Sequence, residues 1–425
     1  MKKIVSALLV VLMLVGLAAC GSQTPTSSDP TPSGSGSDEL QPVSTELIQF
    51  DSNLDLSKVK IGVIFLHDPN MSTYDNNFYQ AILAAQKTLG LTDDQLVFKW
   101  NIPEDGTDCY DTACEMVDAG CNIVFGDSFG YESNLKQVAQ NNPNVQVCHA
   151  TGTNAIVAGL ANYHNAFASI YEGRYLAGVA AGMKINEMIN SGTITAEKAK
   201  IGYVGAFPYA EVKSGYTSFF LGARSVCPTV TMEVVYTNSW FDIALEKEGA
   251  LKLINDGCVL ISQHADSEGA PKACEEAGVP NVAYNVDTTN LGPNTALISS
   301  KINWEPYFEM IIKCVASGKA IPTDWCGTLK TGSVQLTALN EKAAAEGTQK
   351  AIDDAKAQLE AGTLKVFDTK NFKVDSKELA TYLADVKDMG DFQPETEVIK
   401  NGSFLESYYR SAPYFDLLID GITEK

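Results

Sequence analysis

No basic stripe runs along this chain of 425 residues: 31 Lys and Arg stand against 52 Asp and Glu, for a net charge of -21. Nothing in it could neutralise a run of phosphates, which sets nucleic acid aside as a partner. No CxxC pair offers metal-ligand spacing, so neither a metal nor another cofactor is expected. Histidine is scarce, with four in all, the last at His264. The apolar run at the start, Ile4 to Gly16, falls short of the about 20 residues that span a bilayer. What remains is a length greater than one core usually serves, with 45% hydrophobic residues. Two lobes and a large buried core follow.

The N-terminus carries targeting information. Lys2 and Lys3 precede the apolar run, as in a secretory signal, and Leu17-Ala18-Ala19-Cys20 resembles a bacterial lipobox. That resemblance implies cleavage before Cys20 and acylation of its sulfur, which would hold the mature chain to a membrane by lipid. Residues 1–19 then read as a lipoprotein signal peptide and 20–45 as the lipidated cysteine and a flexible tether, since Gln23 to Ser37 is rich in Ser, Thr, Pro and Gly. Beyond Cys20 nine cysteines remain. An odd number leaves at least one thiol unpaired; Cys109 with Cys114, or Cys314 with Cys326, could form disulfides outside the cytosol.

From Val59 onward, short apolar runs alternate with helical segments closed by glycine. Strands are expected at Val59 to Leu66, Gln95 to Trp100, Asn122 to Phe125 and Val145 to His149. Helices are expected at Asn77 to Leu89, Thr107 to Ala119 and Glu132 to Gln140. A long helix, Tyr171 to Met188, carries Gly173, Ala177, Gly178, Ala180, Ala181 and Gly182 on a closely packed face. Strands then recur at Ile201 to Val204, Thr231 to Tyr236, Val259 to Ile261, Val282 to Tyr284 and Ala296 to Ser299, with helices from Glu211, Asp242, Glu268 and Glu305. Repeated βα units predict parallel sheets covered on both faces, here two sheets of about five strands with a cleft between them. The first lobe is expected to take 46–165 plus about 286–325, and the second 166–285 plus about 326–425. Glu341 to Glu360 reads as a further helix.

Ligands of such sheets sit beyond the carboxyl ends of the strands. The stretch Cys258 to Asp287 is a βαβ unit that puts Asp266 and Asp287 at two such ends. Tyr74 and Phe207 lie in loops of the same kind, and Phe129 and Tyr131 offer further aromatic faces. Trp240, in Asn238-Ser239-Trp240-Phe241-Asp242, stands at a strand end, where its ring would stack on a planar ligand; Asp242 reads as a helix N-cap. Gly126-Asp127-Ser128-Phe129-Gly130 matches the GxSxG of hydrolases in the right strand-to-helix context. A serine triad needs an acid and then a histidine downstream, with an oxyanion segment upstream, and the chain offers neither HGGG nor a histidine after His264. No catalytic residue is expected.

Tyr171-Glu172-Gly173-Arg174-Tyr175-Leu176-Ala177-Gly178, Ile201 to Pro208, Glu211-Val212, Asn238 to Asp242 and Gln263-His264-Ala265-Asp266-Ser267 together resemble the basic membrane protein family, from about Val59 to about Leu336. These are substrate-binding lipoproteins of ABC importers with a two-lobed, type I periplasmic-binding-protein-like α/β fold. The resemblance implies capture of a purine, as base or nucleoside, and delivery to a permease and ATPase complex by a monomer on the extracytoplasmic face, with no catalysis. It places Tyr74 as a first-lobe contact, Trp240 as a stacking partner, and Asp266 and Asp287 as polar contacts. Nucleoside binders keep a lysine in the segment that here reads Ser299 to Trp304. Asn303 falls at that place, and a slip of two residues would put Lys301 there instead. The NSWFD and QHADS motifs lie closer to members taken to bind free bases, so a base such as adenine is the expected ligand. The alternative is a lipid-anchored sensing module that presents its ligand to a partner without transport.

Overall fold

The computed structural model describes residues 40–388 and 392–425; the expected signal peptide, Cys20 and most of the tether lie outside the described residues. Residues 41–425 form one compact unit. Its first half runs β1 (Ile61–Ile64), α1 (Thr73–Leu89), β2 (Leu96–Lys99), α2 (Asp108–Asp118), β3 (Ile123–Gly126), α3 (Glu132–Asn141), β4 (Gln146–Ala150), α4 (Ala155–Ala158) and β5 (Tyr163–Ala168). After the long helix α5 (Ile170–Asn190) come β6 (Lys200–Gly205), α6 (Ala210–Val226), β7 (Thr231–Tyr236), α7 (Ile243–Asn255), β8 (Leu260–His264), α8 (Gly269–Ala277), β9 (Asn281–Tyr284) and β10 (Ala296–Ile302). The chain continues through α9 (Glu305–Ser317), β11 (Asp324–Gly327), β12 (Val334–Leu336) and α10 (Thr348–Glu360). It ends in short pieces: β13 (Leu383–Ala384), β14 (Thr396–Glu397), β15 (Ile399–Lys400), β16 (Ser403–Phe404) and β17 (Ile422–Glu424).

Two large sheets carry the fold. The first has the order β11-β5-β4-β3-β1-β2 and is parallel throughout. The second, β12-β10-β9-β8-β6-β7-β17, is parallel except for β12. The same winding appears twice, with the strand order reversing between β1 and β3 and again between β6 and β8. Such reversals splay the following loops apart and open a crevice at the strands' carboxyl ends.

Three expectations are corrected. Of the range 286–325 assigned to the first lobe, β10 joins the second sheet, because its backbone pairs with β9; only α9 and β11 lie with the first. The tether ends before 45, since Val43 N–H donates to the Tyr408 carbonyl and the Ser44 carbonyl accepts from Cys326 N–H. The nine cysteines from Cys109 to Cys326 are all free thiols, so neither expected disulfide forms. Cys109 and Cys114 share α2, where five residues of separation turn their side chains about 140° apart.

Why the sheets pack as they do is visible in their cores. In the first lobe, α1 and α9 press one aromatic layer onto the sheet: the Phe78 ring stacks on Trp304 at 4.3 Å, and Tyr307 stacks on Trp325 at 5.5 Å. In the second lobe, α5 crosses α6 at very close range. A Cβ on Gly178 would sit 2.0 Å from the Phe219 carbonyl oxygen, and one on Gly222 would sit 2.0 Å from that of Tyr175. The small-residue face read in α5 therefore meets a matching one on α6, and each glycine accepts the other helix's backbone.

Candidate functional site

A small space of about 20 Å3 lies where the two reversal points face each other. That is room for about one water, far below the about 300–1,000 Å3 usual for small-molecule sites, so the lobes stand nearly closed upon it. From the first lobe come Leu66 after β1, Tyr74 in the first turn of α1, Ser128 and Phe129 after β3, and Thr151 after β4. The second lobe gives Glu211 in the first turn of α6, Trp240 after β7, His264 at the end of β8, and Asp266 just beyond it.

Local structure fixes each wall. Ser72 caps α1 by accepting from the Asp75 N–H at 3.2 Å, which orients Tyr74 so that its hydroxyl donates to the Asp127 carbonyl at 2.9 Å. Asp242 caps α7, its Oδ1 accepting from Ala244 and Leu245 N–H at 2.9 Å each. That cap ends the turn in which Trp240 is held, and the Trp240 carbonyl accepts from Asp266 N–H at 2.9 Å. The lobes touch here: the Asp266 carbonyl accepts from Thr73 N–H at 2.8 Å and from its hydroxyl at 3.2 Å. Farther along α1, Asn77 Nδ2 donates to Asn285 Oδ1 at 2.9 Å.

Electrostatically the site is a buried acidic pocket with a neutral histidine. Burial pushes the Asp266 carboxyl well above the usual range, and nearby Glu246, Asp75 and Glu211 push it the same way. Burial, with Asp75 beside it, does the same to Asp127. Burial lowers His264 to about 4, against the pull of Glu211, whose Oε1 lies 3.2 Å from Nε2. At neutral pH, then, His264 carries no charge, and Asp266 holds its proton more tightly than an ordinary carboxyl.

These shifts predict a sign for pH and stability. Well above the ordinary histidine value of 6.5, imidazoles are neutral folded and unfolded alike and contribute nothing. Asp266 and Asp127 bind their protons more tightly folded than unfolded, so the stability they contribute is lost as pH rises through their folded values. The ligand-free melting temperature is expected to fall as pH is raised above about 7.5, where histidines no longer titrate, and Asp266→Asn to flatten that slope. A melting temperature that climbs across the range would overturn the assignment.

Of the residues read from sequence, the structure brings Tyr74, Phe129, Trp240 and Asp266 together. Phe207 stands behind them, stacked on Tyr209 at 5.0 Å and edge-on to Trp240 at 5.1 Å. The other three lie elsewhere. Tyr131 is buried in the core beneath α3, its hydroxyl donating to the Ile102 carbonyl at 2.5 Å, because the turn after Ser128 rotates it inward. Asp287 is exposed and its Oδ1 accepts from Thr289 N–H at 2.8 Å, an Asx turn that steers the carboxylate away from the cavity. Asn303 Oδ1 accepts from Glu305 N–H at 3.2 Å at the start of α9, which uses the side chain up as a cap. Glu211, His264, Ser128 and Thr151 were missed as lining residues, although each stands at a strand end or a first helical turn. Ser128 is no nucleophile: its hydroxyl donates to Glu104 Oε1 at 2.5 Å, and the adjacent His149 Nε2 meets the Ser128 carbonyl at 2.6 Å. His149 meets the Ser128 carbonyl and not its hydroxyl, so the GxSxG match lacks the serine–histidine pair of a triad.

Residues 58–367 match the model of the Bmp family, the PnrA-like substrate-binding proteins of ABC transporters. The chain belongs to that family. A purine-binding protein of Brucella abortus is 30% identical over 311 residues, covering 73% of this chain and 83% of its own. A putative ABC transporter glucose-binding protein of Haloferax volcanii is 34% identical over 215 residues, 51% of each chain. Among solved structures, a solute-binding protein of an Aeropyrum pernix ABC transporter system superposes with a TM-score of 0.61 at 14% identity, over 76% of this chain and 94% of that one. At that identity the likeness speaks to the fold, which is the two-lobed arrangement of parallel sheets flanked by helices. As a substrate-binding family member, the protein is not an enzyme. Among the described residues no helix is long and apolar enough to cross a membrane.

Proposed function

We propose that this Bmp-family protein captures a purine in the cavity between its sheets and hands it to an ABC permease and ATPase complex, with the free base favoured over its nucleoside. The observation that carries this reading is the cavity's composition: Tyr74, Phe129 and Trp240 present aromatic rings around Glu211, His264 and Asp266. A flat heteroaromatic ring stacks on such faces, and its alternating N–H and ring-nitrogen edge needs both donors and acceptors. A neutral His264 offers one of each. The 30% identical purine-binding relative supports the same ligand class.

Preference for the base follows from what a base alone possesses. Its N9–H, replaced by the sugar in a nucleoside, must meet an acceptor once buried, and Glu211 and Asp266 supply carboxyl oxygens. Asp287 and Asn303, exposed or engaged in a cap, take no part in this. Titrating adenine, guanine, hypoxanthine and their nucleosides into the purified protein is expected to show at least about tenfold tighter binding of a base than of its nucleoside. Nucleosides binding tighter throughout would refute the preference. Binding of glucose with no purine binding would refute the purine reading itself.

Attachment to the membrane through lipid on Cys20 is part of the same proposal, supported by Leu17 to Cys20 and the short apolar run before it. Cys20→Ser is expected to release the protein from the membrane fraction while leaving ligand binding intact; unchanged membrane association would refute the anchor.

A further inference from the structure

Beside the inner cavity lies a second space of about 410 Å3, open to solvent on one side. The two share Phe129, Thr151, Glu211 and Trp240, so these four residues line both spaces and stand between them. The outer wall is contributed by the C-terminal segment, with Leu383, Ala412, Pro413, Tyr414 and Asp416 facing the space. That segment lies beyond residues 58–367, the span that matches the family.

The wall is fixed in place from both lobes. Toward the first sheet, Ser411 donates through its N–H to Asp324 Oδ2 at 2.7 Å and through its hydroxyl to Asp324 Oδ1 at 2.5 Å. Asn165 Nδ2 joins them, donating to the Ser411 hydroxyl at 2.9 Å, and all three side chains are buried. Toward the second lobe, Ser214 donates to Glu406 Oε1 at 2.5 Å, and β17 extends the sheet beside β7. A wall already ordered in this way loses little entropy on contact with a ligand.

We propose that this wall completes a second compartment of the ligand site, one that takes a neutral, hydroxyl-bearing substituent, such as a glycosyl group, on a base held in the inner cavity. It rests on the purine reading above. The chemistry of the lining selects that class. Asp416 and Glu211 present carboxylate oxygens, which accept from hydroxyls and repel phosphate. The cation at the rim, Arg410, is already committed: Nε donates to the Ala412 carbonyl, Nη1 to those of Asp385 and Val386, and Nη2 to that of Pro413. Aromatic faces at Tyr209, Trp240 and Tyr414 offer the apolar surface on which a sugar ring lies. The compartment thus sets how far a nucleoside falls behind its base, and it excludes the nucleotide.

Calorimetry on the full chain, with a base, its nucleoside and its 5′-monophosphate as probes, tests this. Leu383 is half-exposed, so Leu383→Trp can narrow the compartment without disturbing a core. That variant is expected to weaken nucleoside binding by about tenfold or more while base binding stays within about twofold. Asp416→Ala, at an exposed position, is expected to act in the same direction to a smaller degree. Wild-type protein is expected to bind no monophosphate. Equal losses for base and nucleoside, no loss for either in both variants, or monophosphate binding as tight as the nucleoside overturns the compartment while leaving the purine reading in place. Wild-type protein that binds neither base nor nucleoside overturns both.

Discussion

Replacing Trp240 by alanine is expected to weaken purine binding by about 1–3 kcal/mol, roughly 5- to 150-fold, while the ligand-free melting temperature moves little. The indole is half-buried and touches Phe207 and Tyr209 edge-on or tilted at 5.1 and 6.1 Å. Those rings are themselves at the cleft, Tyr209 being exposed. What the substitution removes is therefore the face offered to the cavity, not support for the sheet. The backbone bond between the Trp240 carbonyl and Asp266 N–H survives the change, so Asp266 stays in place. Calorimetry and a melting curve on the one variant decide the matter: lost stability with affinity intact would make Trp240 a packing residue.

A larger effect, on folding rather than binding, is expected at Gly178. Its Cβ position is occupied by the carbonyl of Phe219, which belongs to the neighbouring helix's backbone and cannot rotate away as a side chain would. Gly178→Ala forces α5 and α6 apart along their whole crossing, and overpacking of this kind costs about 3 kcal/mol or more. Gly178→Val should prevent recovery of folded protein altogether. By contrast, Gly173→Ala meets only side-chain atoms, the nearest at 3.0 Å, and should be much milder. Denaturant midpoints for the two alanine variants separate the cases; equal midpoints would refute the backbone contact.

The alternation of strand and helix was readable because the elements that build parallel sheets are nearly continuous apolar runs closed by glycine. Gly90, Gly278 and Gly318 each end a helix in the left-handed conformation that an apolar pattern cannot encode but a glycine announces. Strand β5 escaped notice because His164 and Asn165 interrupt its apolar character; in the structure His164 bonds to Gln146 and to the Pro322 carbonyl, and Asn165 to Asp324 and Ser411. The C-terminal segment was illegible for a related reason. Its strands are two or three residues long, and what holds it is a set of side-chain bonds to residues far away in sequence. At the site, position was legible and direction was not. Asp266 and Asp287 both follow strands, but Asp287 is captured by its own turn while Asp266 is pinned by the Trp240 carbonyl into the cavity. Glu211 and His264 stood in motifs already singled out, yet nothing in a strand end tells which of two neighbouring polar side chains faces inward.

Asp266 has two jobs in one residue. Its carboxyl lines the cavity, while its peptide carbonyl takes both the N–H and the hydroxyl of Thr73 from the opposite lobe. A molecule that pulls on the carboxyl thereby steadies the peptide that latches the lobes, and a latch that opens moves the carboxyl off its target. Occupancy and closure are then linked by a single free energy that each side feels equally. A permease that recognised only the latched face would receive loaded protein in preference to empty protein, and by prising Thr73 from Asp266 it would loosen the cargo in the same movement.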